Sequence, residues 1–166
     1  MIPLTTTAFY GLALCIPFTV FAIGTFWVRP RLWLHSLPPD IQEMAGPKTD
    51  REVRQTKWLL IAYLLLLPGG SIVSLLFAAA SARVELTVVG AFVHLYGVWV
   101  IVQLWDLVII DVGHILFIDP DSPPIPGTNG AAGYKDFAFH ARAFAKACFV
   151  SLVFVGPAAL VLGLAL

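Results

Sequence analysis

Apolar residues in this chain gather into four long runs, at about 7–28, 58–80, 86–118 and 136–166, and polar residues collect between them. A helix rises about 1.5 Å per residue, so roughly 20 apolar residues cross a ~30 Å hydrocarbon core. Each run meets that length. The pattern predicts an all-α fold: a four-transmembrane-helix bundle with antiparallel, up-down neighbours, forming one integral membrane domain over residues 1–166. The turn Ser81-Ala-Arg-Val-Glu85 is so short that spans two and three must lie side by side.

The breaks in the pattern predict where helices start, bend and stop. Pro17 and Pro157 fall inside runs one and four, where a kink is tolerated if neighbours satisfy the freed carbonyl. Pro68-Gly69-Gly70 is a stronger signal near the middle of span two: either a kink, or a broken helix of the sort that lines transporter cavities. Thr49-Asp50-Arg51-Glu52 fits a capping box, so a helix should start near Asp50, outside the bilayer, and continue into span two. Trp27 and Trp33, with Arg29 and Arg31, read as an interface belt. Residues 119–134 are too dense in proline and glycine for regular structure and longer than most helix connections. Their apolar flanks and the Gly127-Thr-Asn-Gly130 turn predict an ordered or re-entrant loop before helix four.

The third run is too long for its task. Leu86 to Ile118 would extend roughly 50 Å as helix, well beyond the hydrocarbon core. With Glu85 at one interface, Asp106 arrives near the other. The span is therefore read as 86–106, with an extension to 118 that continues below the bilayer or folds under the bundle.

That surplus length carries Asp106, Asp111 and His114, and the start of run four carries Asp136 and His140. Ionisable groups in apolar surroundings are costly unless they pair or serve a task, so these five residues are the candidate ligand-binding set. On α-helices Asp111 and His114 share a face, as do Asp136 and His140. Asp111, His114 and His140 form a candidate metal set, since carboxylate and imidazole suit zinc, manganese or iron. Neither HExxH nor ExxH occurs. Asp106 lies about 140° from Asp111 around an α-helix, which separates it from that set and predicts a partner among arginines or lysines.

Haem is a further cofactor reading, with His114 and His140 as axial ligands of one b-type haem. His94, near the opposite end of span three, lacks a partner for that role and reads as a hydrogen-bonded interior residue near Tyr96 or Tyr63. His35 reads as a solvated loop residue. A purely structural account covers the same cluster: Asp136 caps span four, and Asp111 holds His114 or an arginine in a packing pair.

Composition sharpens the class. Of 166 residues, 59% are hydrophobic and 12% charged, about half the charge of an ordinary soluble domain. Zero formal net charge argues against nucleic acid as a partner. Cys15 and Cys148 sit in apolar runs without metal-ligand spacing and read as packing residues. The N-terminal residues lack the basic region of a cleavable signal, so the first run is expected to stay as a span.

Basic residues set the orientation. Six of the ten lysines and arginines lie in 29–57, Arg83 alone lies in the second turn, and Lys135, Arg142 and Lys146 follow the third connection. The positive-inside rule then makes loop 29–57 cytoplasmic and places both termini outside, in a bacterial-type cytoplasmic membrane. Lys135, Arg142 and Lys146 would share one face of span four near a helix start, a candidate site for anions or lipid headgroups. Snorkelling of basic side chains accounts for the same pattern.

The stretches Leu37-Pro-Pro-Asp-Ile-Gln42, Trp105-Asp106 to Asp111, and Pro126-Gly-Thr-Asn-Gly130 to Tyr134-Lys-Asp136 with His140 resemble a group of small uncharacterised bacterial four-span integral membrane proteins. The resemblance implies the fold and no catalytic role. The leading functional expectation is a membrane-embedded binding or accessory protein. It would hold a ligand or cation at the Asp/His cluster and assemble with lipids and with itself or a larger membrane complex. An intramembrane metal- or haem-dependent redox enzyme and a small transporter are the competing classes.

Overall fold

The computed structural model describes residues 1–165, and among them every regular element is helical. Helix α1 spans Leu4–Val28, α2 Pro39–Ala45, α3 Asp50–Leu64, α4 Gly70–Ala82, α5 Val88–Trp105, α6 Val112–Phe117 and α7 Phe137–Ala165. Wide π-turns at Leu65–Gly69 and Asp106–Asp111 join α3 to α4 and α5 to α6 without a break. The result is four helices long and apolar enough to cross a membrane: Leu4–Val28, Asp50–Ala82, Val88–Phe117 and Phe137–Ala165. Their outward faces carry large apolar side chains such as Phe9, Val20, Leu65 and Phe149, as contact with hydrocarbon requires.

The helix starts are set by side chains that satisfy first-turn amides. At Asp50 the predicted capping box is present: Glu52 N–H donates to Thr49 Oγ1 (3.3 Å), and Thr49 N–H donates to Glu52 Oε2 (2.7 Å). Thr87 accepts from Gly90 N–H at the start of α5, and Asp136 accepts from Phe139 N–H (2.9 Å) at the start of α7. Span four therefore begins one residue later than its sequence suggests, with Asp136 outside it. Lys135 is also outside, in a 3₁₀ turn over Ala132–Lys135.

Pro68 does not break span two. Its missing N–H falls in a π-turn, where the backbone widens and the helix continues through Gly69 and Gly70. The third run is likewise unbroken. Val88 to Phe117 is one continuous rod, and the extension past Asp106 is its last turns, with no separate piece folded beneath.

Contacts between the long helices follow consistent registers. Between α1 and α5, Thr7 meets His94, Gly11 lies under Ile101, and Thr19 accepts from Trp105 Nε1 (2.9 Å). Between the third and fourth rods the numbers run oppositely: Val88 lies against Gly163, Trp99 stacks on Phe154, and Asp111 meets His140. Leu14 touches Gly70, while Ile2 shares a core with Leu75 and Ala78.

The polar segments fold together at one end. Arg31 is the hub of segment 29–49: its Nε lies 2.6 Å from Glu52 Oε1, and its two terminal nitrogens donate to the carbonyls of Ala45 (2.8 Å) and Pro47 (2.9 Å). Lys48 Nζ donates to Leu32 O (2.7 Å). This segment shares an apolar core with 118–134, in which Leu37 and Ile41 join Ile118, Ile125 and Tyr134. Gly133 N–H donates to Asp40 Oδ2 (2.8 Å) across that seam, and a Cβ at 133 would collide with Asp40 and Pro38.

Candidate functional site

A cavity of about 250 Å³ opens where the long helices meet this folded end. Helix α1 contributes Phe18, Ala22 and Phe26, and the segment after it contributes Trp33, Ser36 and Leu37. Tyr63 comes from α3 and Gln103 from α5. Asp106 and Asp111 lie on the second π-turn, His114 on α6, and His140, Ala143, Phe144 and Ala147 on α7. The lining is mainly apolar and aromatic with a few convergent polar groups, as in small-ligand sites generally.

Four of the five candidate residues meet here. His140 Nδ1 stands 3.0 Å from Asp111 Oδ1, with the His140 side chain 8% exposed. The two groups form an ion pair when the imidazole carries a proton and a hydrogen bond when it is neutral. His114 lies against the Phe26 ring at 4.5 Å between centroids, and its buried Nε2 has no hydrogen-bond partner among the described residues.

Asp106 corrects the reading of the sequence. On an uninterrupted α-helix it would face away from Asp111, but the π-turn between them brings residues five apart onto one side. Asp106 therefore lines the same cavity as Asp111. No arginine or lysine pairs with it, and no hydrogen bond holds it, among the described residues. A wide turn of this kind often marks a functional position.

Asp136 is not in the cavity. Its carboxylate caps α7 and lies 3.9 Å from Arg142 Nη2 in an exposed pair. The basic trio does not form one face either. Lys135 Nζ donates to the carbonyls of Ile115 and Ile118 at the end of α6, while Arg142 and Lys146 project outward from α7. Lys135 lies off the helix, so its angular relation to the other two does not hold.

His94 is fully buried elsewhere, with Nδ1 3.0 Å from Thr7 Oγ1 and Nε2 3.0 Å from Ser74 Oγ. It is the expected interior hydrogen-bonded residue, held by hydroxyls rather than by Tyr96 or Tyr63. Both ring nitrogens are engaged, so neither is free to bind iron. Among the described residues no group of three or more His, Cys, Asp or Glu side chains is arranged to hold a metal ion. The Asp111–His140 pair supplies two donors, and these face each other.

Tyr63, Gln103 and Trp33 are site residues that the sequence reading missed. Gln103 carried a legible signal, as a polar residue in an apolar run three positions before Asp106. Trp33 reads from the sequence as part of the interface belt. Its indole Nε1 donates to Thr25 Oγ1 (3.1 Å), which holds the ring at the cavity wall. Tyr63 gave no signal, because its role depends on which helices become neighbours.

The charge of the lining limits what the cavity can do. It holds two carboxyl groups and two imidazoles, and no lysine or arginine. Such a set can take up and release protons and favours positive charge over negative. Comparisons with protein-family models, with curated proteins and with solved structures returned no match to this chain.

Proposed function

We propose that this chain is an integral protein of the cytoplasmic membrane whose role is to bind a small ligand or cation in the Asp106/Asp111/His114/His140 cavity, as a binding or accessory protein. We read the four long helices as an antiparallel up-down bundle. The rising register between α1 and α5 and the falling register between the third and fourth rods support that reading. The concentration of lysine and arginine in segment 29–57 supports a cytoplasmic position for the folded end and outer positions for both termini. The outward apolar faces make lipid the first partner.

One observation carries the functional reading. Four ionisable side chains from two long helices converge on a single space of about 250 Å³. A pair retained only for packing would need no such space, because interiors close to crystal-like density.

Native mass spectrometry of the protein, gently extracted from the membrane that makes it, tests this. The expected spectrum carries a bound small molecule other than phospholipid. The adduct should be absent in Ala147→Trp, which fills the space from α7. A spectrum of bare protein for both forms, or the same adduct on both, would overturn the reading.

A further inference from the structure

We propose that the occupant is a small organic cation, an ammonium group bearing an aromatic or compact alkyl body, held by Asp106 and the surrounding rings and taken up in exchange for a proton. The inference deepens the proposed function and rests on it.

Charge balance comes first. Every titratable group facing the cavity can be named: Asp106, Asp111 and His114 on the third rod, His140 on α7 and Tyr63 on α3. Helix α1 adds only Phe18, Ala22 and Phe26, and the segment after it adds Trp33, Ser36 and Leu37. No side chain in this list is permanently cationic. Asp111 already has His140 at 3.0 Å, which leaves Asp106 as the lining carboxyl without a partner among the described residues. An uncompensated carboxylate in apolar surroundings is costly, so its charge must be met by a proton or by the occupant. An anion would add to the imbalance, and a neutral molecule would leave it.

The shape of the lining then chooses among cations. A bare divalent ion needs a shell of several oxygen or nitrogen donors, and the described residues provide no group of three. The walls instead present Phe18, Phe26, Trp33, Tyr63 and Phe144. Aromatic faces attract an organic ammonium through the ring quadrupole and bury its apolar body at the same time. Gln103 and the free Nε2 of His114 offer further polar contacts.

The exchange follows from the same list. When the cation enters, the proton that neutralised the acidic lining leaves to solvent, and the net charge of the cavity is unchanged. Coupling of this kind is reciprocal: raising the proton concentration weakens the cation, and the cation expels the proton.

Calorimetric titration of the purified full chain in detergent micelles tests the inference, using benzyltrimethylammonium and its neutral carbon isostere, neopentylbenzene. Repeating it in two buffers of different ionisation enthalpy counts the protons released. We expect saturable binding of the cation with proton release, and at least about tenfold weaker binding of the isostere. Asp106→Asn should weaken the cation by a similar factor and abolish proton release, and Asp106→Glu should restore both. Ala147→Trp controls for partition into the micelle.

Equal binding of the isostere, or cation binding without proton release, would overturn the cation assignment while leaving a ligand cavity in place. Absence of binding by either compound would also overturn it, and the mass spectrum of the extracted protein then decides the broader reading alone. The comparison between the two compounds uses the unmodified chain, so it stands even if the Asp106 variants fold poorly.

Discussion

His94 and His140 sit on different helices in similar apolar surroundings, and their neighbours give them different chemistry. Hydroxyls from Thr7 and Ser74 close both nitrogens of His94, which makes it a bolt between α1, α4 and α5. His140 instead has a carboxylate, Asp111, beside its Nδ1 and faces the cavity. Replacing His94 with leucine should therefore destabilise the fold by about 1–2 kcal/mol, since two buried hydroxyls lose a partner and each bond of this kind contributes modestly in a membrane. Unfolding in mixed detergent micelles measures the change. Thr7→Val added to His94→Leu should cost less than Thr7→Val alone, because the shared bond is already gone.

Helices are the scale at which the sequence is most legible. Apolar run length predicts all four rods, and Thr49 with Glu52 predicts the start of α3, because burial and capping are local consequences of residue type. The phase of the helix is where reading fails. Asp106 and Asp111 look separated when a uniform twist is assumed, and one wide turn reunites them. Nothing in Asp-Leu-Val-Ile-Ile-Asp marks that turn, so the full membership of the site depends on how the third rod settles against its neighbours. Pro68-Gly69-Gly70 marks the place of the other wide turn, where the sequence offers a kink or a broken helix and the helix continues through a π-turn.

Rod-to-rod spacing depends on small residues. A Cβ at Gly163 would strike the backbone of Val88 and lie 2.8 Å from Thr87 C, whereas one at Gly24 would meet nothing within 4 Å. Gly163→Ala should cost about 1–3 kcal/mol through forced separation of α7 from α5. Gly24→Ala should be neutral or stabilising by up to about 1 kcal/mol from helix propensity. Unfolding of the two variants in parallel checks the contrast, and equal effects would argue against this contact.

The whole molecule is a set of apolar rods closed at one end by a folded polar floor, with Arg31 as its fastening. Arg31→Ala removes an ion pair and two carbonyl contacts at once. Segment 29–57 should then loosen and be cut by trypsin several-fold faster, with cleavage at exposed Arg51 and Arg54. In membrane vesicles the cuts should appear only when the cytoplasmic face is turned outward. Cutting from the opposite face would reverse the proposed orientation.

The partnership between Asp111 and His140 also has a history within each newly made molecule. The aspartate is translated with the third rod, while its imidazole arrives only with the last one. A nascent chain halted after the third rod would hold Asp106, Asp111 and His114 without the imidazole that Asp111 meets in the finished fold. The Asp111–His140 pair, and the α7 wall of the cavity with it, therefore form only once the last helix has been made and packed.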